Sequence, residues 1–98
     1  MSEAVILINP FTVPAGKLEQ AIAYWERHRD FMQQQPGYLS TALHRSLRPD
    51  ATFELINVAN WASEEAFYQA AAKMRAALGP CEVEGLSGDP ALYRIIRT

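Results

Sequence analysis

Five consecutive apolar residues, Ala4-Val5-Ile6-Leu7-Ile8, constrain this chain more than any other stretch. Their β-branched content favours a strand, and a strand turns successive side chains to opposite faces. Val5 and Leu7 then point one way and Ile6 and Ile8 the other, so both faces are apolar. The far end repeats the arrangement, with Leu92 and Ile96 against Tyr93 and Ile95. An antiparallel sheet with one wet face alternates apolar with polar residues, so this sheet needs cover on both sides. Apolar residues make up 49% of only 98, and a chain of that size buries only about 60–65% of its unfolded surface. Part of the apolar surface is expected to meet a second copy of the chain, giving a homodimer.

No repeat, low-complexity tract or linker interrupts residues 1–98, which read as one domain. The first strand continues through Asn9-Pro10-Phe11-Thr12-Val13, and Pro10, which lacks a ladder donor, implies an unpaired position or a bulge. From Lys17 to Gln35 the pattern is helical, with Leu18, Ala21, Ile22, Trp25 and Met32 in one stripe, until Pro36-Gly37 ends it. Tyr38–Leu47 and Thr52–Trp61 read as two strands of a hairpin with a loop of about four or five residues. Ser63 is placed as the N-cap of a second helix, which carries Phe67, Ala70, Ala71, Met74 and Leu78 on one face and stops at Gly79-Pro80. Ala91–Thr98 is expected to form the last strand. The order β-α-β-β-α-β is the ferredoxin-like α+β arrangement, a four-stranded antiparallel sheet with two helices on one face.

Charge and motifs exclude several functions. Nine Lys/Arg against eleven Asp/Glu give a net charge of -2 with no basic stripe, so no nucleic-acid partner is expected. The chain starts Met1-Ser2-Glu3, and the apolar run Ala4–Ile8 is too short for a signal segment or a membrane span. A single cysteine, Cys81, makes no internal disulfide. A soluble cytoplasmic protein without membrane attachment is the expectation. There is no CxxC, HExxH, phosphate-binding glycine loop or GxSxG elbow. His28 and His44 stand sixteen residues apart without a carboxylate cluster, so no metal site is expected.

What remains is polar residues in apolar places. Asn9 interrupts the first strand, and Asn57 shares a face with Phe53, Leu55, Ala59 and Trp61. A buried amide without a partner costs about 1–3 kcal/mol. Asn9 and Asn57 either satisfy a bulge or each other, or point hydrogen bonds into a cavity between sheet and helices. Trp61 is either a core plug or an indole whose N–H meets a ligand. His44 shares parity with Tyr38, Ser40, Ala42 and Ser46, a small and polar face typical of surface or interface. Tyr24 and His28, four apart on the first helix, line a groove or cap the core edge. The small Ala70, Ala71, Ala72, Ala76 and Ala77 leave room for the second helix to roof a pocket.

Several segments together resemble the antibiotic biosynthesis monooxygenase (ABM) domain family: Ile8–Gly16, Pro36-Gly37-Tyr38, Leu43–Leu47, and the run from Ile56 to Phe67 that contains Asn57, Ala59, Trp61, Ser63 and Ala66. The resemblance covers about Val5 to Leu78. It implies a ferredoxin-like subunit that pairs through its sheets as a dimeric α+β barrel. It also implies oxygenation of an aromatic, quinol-like or polyketide-like small molecule by dioxygen, without metal, flavin or other cofactor. Asn57 and Trp61 match the family's pocket hydrogen-bonding positions, and Asn9 matches the pocket asparagine of its haem-degrading branch. Asn9, Asn57 and Trp61 are therefore the expected catalytic residues, with Tyr24, His28, His44, Phe67 and Arg75 as substrate contacts. Two departures stand out. Phe67 occupies the place of a tyrosine in the quinone-forming enzymes, and Tyr68–Arg75 contains no histidine to bind haem iron, so haem degradation is not expected unless His28 or His44 substitutes from another element. A non-catalytic dimeric module that binds a small molecule is the alternative.

Overall fold

The structure is a computed structural model and describes residues 3–98. The elements are β1 (Val5–Thr12), α1 (Leu18–Met32), β2 (Tyr38–Arg45), β3 (Leu55–Trp61), α2 (Glu64–Leu78), β4 (Ser87–Gly88) and β5 (Ala91–Tyr93). They build one antiparallel sheet in the order β2-β3-β1, with β4 and β5 both on the outer edge of β1. This is the expected ferredoxin-like α+β fold, with the fourth strand broken in two. Phe11 opposes Gly88, and three residues back Ile8 opposes Ala91, so β4 and β5 share one register.

Pro10 and Pro90 explain the break. Asp89 N–H donates to the Pro10 carbonyl at 3.0 Å, but Pro10 has no N–H to return. A ladder position that normally exchanges two bonds thus makes one. The β1–β3 register runs through Pro10 without a bulge, so the missing donor falls on the β4/β5 side alone. The last strand is also shorter than expected and does not reach Thr98. In its register Arg94 would come opposite Val5, the first residue of β1, beyond which there is no ladder to join.

Other boundaries shift for local reasons. α1 stops at Met32 rather than Gln35, and Gln34 and Gln35 close tighter turns onto Phe31 and Met32 ahead of Pro36. Gly37 follows at φ 88°, with its Cα packed against Ala66 so closely that a Cβ has no room. The Gly37 carbonyl accepts from Ala62 N–H at 2.8 Å, which ties the end of α1 to the start of α2. The β2–β3 connection is longer than a four- or five-residue loop, because β2 ends at Arg45 and β3 begins at Leu55. There Ser46 Oγ accepts from Arg48 N–H and donates to the Arg48 carbonyl, which curls the chain outward and leaves Leu47 fully exposed. The Ser63 hydroxyl caps α2 by accepting from Ala66 N–H at 3.1 Å, an interaction typically worth about 1 kcal/mol.

The helices cover one face of the sheet. Val5, Leu7, Asn9 and Phe11 of β1 point toward them, as do Leu55, Asn57, Ala59 and Trp61 of β3. Their apolar members form two clusters. Val5, Leu7, Ala59, Trp61 and Ala70 pack with Met32 and Phe67, while Phe11, Ala21, Leu55 and Leu86 pack with Ile22 and Trp25. Asn9 opposes Asn57 at the point between them. The opposite face carries Ile6, Ile8, Ile56 and Val58, and no helix of the described residues lies over it.

Candidate active site

The interval between the two apolar clusters is a cavity of about 170 Å³, floored by the sheet and walled by α1 and α2. Asn9, Tyr24, His28, Asn57, Trp61, Phe67 and Arg75 all line it, so seven of the eight residues singled out from sequence come together. His44 does not. It opposes Ile56 and lies on the other side of the sheet from the cavity.

A β-bulge accounts for the misplaced histidine. Tyr38 pairs with Trp61 and Ser40 with the next residue back, Asn60, so Leu39 is the extra residue. The bulge reverses parity within β2. Tyr38 faces the helices with Trp61, whereas Ser40, Ala42 and His44 face the opposite way. Tyr38 thereby becomes a wall of the site, which strict alternation had placed beside His44.

Each polar group reaches the cavity for a separate reason. Thr41 Oγ1 donates to Asn57 Oδ1 at 2.7 Å. The bond orients the carboxamide and leaves its NH2 group as the donor toward a ligand. Asn9 Oδ1 is buried and has no hydrogen-bond partner among the described residues. The two asparagines thus oppose each other in register without satisfying each other. Gly88 makes the position of Asn9 possible: a Cβ on Gly88 would lie 2.6 Å from Asn9 Oδ1.

Trp61 is 1% exposed, and its Nε1 is the second buried polar atom without a partner. Tyr38 and Phe67 meet its ring edge-on at 5.6 and 5.7 Å. This aromatic box holds the indole plane. Trp61 is therefore the largest plug of the core, a residue of the cavity lining and the holder of an unspent donor. Leaving Asn9 Oδ1 and Trp61 Nε1 unpaired costs about 1–3 kcal/mol each.

His28 Nδ1 lies 2.8 Å from the Tyr24 carbonyl, one helical turn back. With Nδ1–H donating there, the neutral ring carries its lone pair on Nε2. Burial pushes the imidazole below the ordinary histidine range, with Arg27 adding to the effect and the Tyr24 hydrogen bond opposing it. Burial also raises the Tyr24 phenol, reinforced by the charge and hydrogen bond of Cys81 and opposed by Arg27. Tyr24 is thus a proton-bearing phenol and His28 a neutral base.

Arg29 stacks over the Trp25 ring at 5.1 Å and pairs with Asp30 at 3.0 Å. Among the described residues no group of three or more His, Cys, Asp or Glu is placed to hold a metal ion. Thr41 and Gly88 had no sequence signal as site residues. One acts across a strand pair and the other through the side chain it lacks.

The family model described as antibiotic biosynthesis monooxygenase matches residues 4–77. A crystal structure of a Shewanella loihica PV-4 protein, described as a candidate monooxygenase, is 69% identical, with coverage of 100% of this chain and 99% of that one and a TM-score of 0.93. SnoaB, a cofactor-independent oxygenase from Streptomyces nogalater, shares the fold at 24% identity over 99% of this chain and 97% of its own, with a TM-score of 0.71. The haem-degrader MhuD of Mycobacterium tuberculosis, with two haems in its active site, shares it at 22% identity over 96% and 97%, with a TM-score of 0.72. No curated protein matches the chain significantly.

The lowered His28 value has a testable sign. The unfolded chain takes up the proton at about pH 6.5, the folded chain only at lower pH. The stability contributed by neutral His28 is thus complete above about pH 6.5 and lost as pH falls through the folded value. In an NMR titration His28 is expected to titrate below about 6.5, and wild type to lose Tm relative to His28→Gln as pH drops from about 7.5 to about 5. A midpoint at or above the ordinary value contradicts the assignment.

Proposed function

The chain belongs to the antibiotic biosynthesis monooxygenase family, and from that premise we propose that its cavity oxygenates an aromatic, quinol-like or polyketide-like phenol with dioxygen and without a cofactor. The observation that carries this reading is the pair of unpartnered buried polar atoms, Trp61 Nε1 and Asn9 Oδ1, on two residues that line the cavity together with a neutral histidine.

The steps follow from the groups. His28 Nε2 takes the phenolic proton, a role suited to an imidazole that is unprotonated near neutral pH. Trp61 N–H and the Asn57 amide donate to the oxygen that becomes negative, and burial strengthens both interactions. The electron-rich phenolate passes an electron to dioxygen, and the radical pair joins at a ring carbon. Loss of that carbon's proton and cleavage of the O–O bond leave a quinone oxygen on the ring and release water. The substrate supplies all four electrons. Apolar walls such as Leu7, Phe67 and Met74 keep bulk water from the anion.

Phe67 supports a second reading, a non-catalytic binding module. It stands where the resemblance expects a tyrosine and contributes a ring to the box around Trp61 but no proton. The neighbouring Tyr68 is 56% exposed and is not part of the cavity lining. A haem substrate fits poorly. α2 has no histidine, and the cavity has room for about one aromatic ring rather than a porphyrin.

The outer sheet face belongs to the same proposal. Ile6, Ile8, Ile56 and Val58, with Tyr93 beside Ile6, form an apolar surface whose natural cover is the same surface of a second copy. Among the described residues no helix is long and apolar enough to cross a membrane.

Oxygen consumption with a panel of quinols and anthrones tests the activity. Wild type is expected to consume oxygen, and Trp61→Phe to lower kcat about tenfold or more while the fold persists, because an aromatic ring still fills the box. Unchanged turnover in the variant removes Trp61 from the mechanism; no uptake with any substrate favours the binding module. Light scattering tests the assembly. Wild type is expected at twice the chain mass and Val58→Asp at the monomer mass, and a monomeric wild type contradicts the pairing.

A further inference from the structure

The cavity is more selective than a general phenol site. An apolar protein cavity of about 150 Å³ holds one benzene ring, so about 170 Å³ takes one ring with small substituents. Asn9 opposes Asn57, and Trp61 lies four residues further along β3. At about 3.3 Å per residue the two backbone positions are about 13 Å apart. The side chains that carry the unpartnered acceptor and donor therefore start from well-separated points of the sheet. A ligand that uses both carries oxygen atoms across the ring, a hydroxyl donating to Asn9 Oδ1 and a phenolate oxygen accepting from Trp61 Nε1.

Charge adds a third element. The chain has a net charge of -2, yet the cavity lining contains Arg29 and Arg75 and no aspartate or glutamate. Arg29 is engaged by Asp30 and by the Trp25 ring. Arg75 makes no ion pair among the described residues. α2 starts just after Trp61, so Phe67 sits against Trp61 and Arg75 lies about two turns further along the helix, also on the cavity lining. A cation on the lining without an ion-pair partner is a seat for an acidic substituent of the ligand.

We propose that the site selects a single-ring 1,4-dihydroxybenzene that bears a carboxylate, with 2,5-dihydroxybenzoate as its simplest member and Arg75 as the carboxylate anchor. The proposal rests on the reading of this cavity as the substrate site and names the ligand that fits it. The carboxylate meets Arg75, the phenolate meets Trp61 and His28, and the ring lies among Tyr38, Phe67 and Met74.

Anaerobic calorimetry with 2,5-dihydroxybenzoate, hydroquinone and 1,4-dihydroxynaphthalene tests it. The carboxylate ligand is expected to bind about tenfold more tightly than hydroquinone, the usual order for one charge-assisted contact. Arg75→Gln is expected to bring the two to equal affinity, and Arg75→Lys to keep part of the preference. Equal affinities in wild type, tighter binding of the bicyclic quinol, or an unchanged preference in Arg75→Gln overturns the proposal. An oxygen electrode separates it from the activity on which it rests. The predicted preference without oxygen uptake upholds the ligand class and removes the oxygenase, while uptake confined to fused-ring quinols does the reverse.

Discussion

The β1–β3 ladder places Asn9 opposite Asn57 in the middle of an otherwise apolar sheet face, and the site depends on that register. A slip of β1 by one residue would send Asn9 to the outer face and bring Ile6 and Ile8 inward. The apolar residues on either side hold the register. Leu7 and Ala59 pair on one side of the asparagines and Phe11 and Leu55 on the other, all within the two clusters under the helices. A polar pair between two apolar clusters prevents the core from closing into one body, and the cavity occupies the interval.

The fold tolerates unpaired groups there because the surroundings hold them in place. Trp61 is boxed by Tyr38 and Phe67, and the Asn9 carboxamide lies where Gly88 presents only a bare Cα. Neither can swing away to find a partner at low cost. A penalty of about 1–3 kcal/mol per unpaired group is large against a stability of about 5–15 kcal/mol for a whole domain. A ligand that supplies both partners recovers much of it, which couples binding to stability. Preorganisation of this kind also suits oxygenation, since donors fixed before the reaction need no rearrangement when charge develops.

Much of this was legible in the residues. Asn57 and Trp61 could be placed on one buried face because β3 is a regular strand, and Asn9 because β1 carries its register through Pro10 without a bulge. His28 and Tyr24 followed from helical spacing. The failures share a cause, since each turns on an event outside local periodicity. The bulge at Leu39 moved Tyr38 into the site and His44 out of it. The missing Pro10 donor opposite Asp89 split the last strand, and the Ser46–Arg48 turn lengthened the hairpin loop. Thr41 and Gly88 matter through what lies across the sheet from them, a relation that no single segment contains.

The central claim is that Trp61 Nε1 and Asn9 Oδ1 are held for a ligand rather than lost in packing. The most direct measurement is ¹H–¹⁵N NMR of the side-chain N–H groups during anaerobic titration with hydroquinone. The Trp61 indole N–H resonance is expected to move downfield on gaining an acceptor, with the Asn9 carboxamide shifting in parallel and His44, across the sheet, unmoved. A bound ligand that leaves the Trp61 indole resonance where it was would contradict the account.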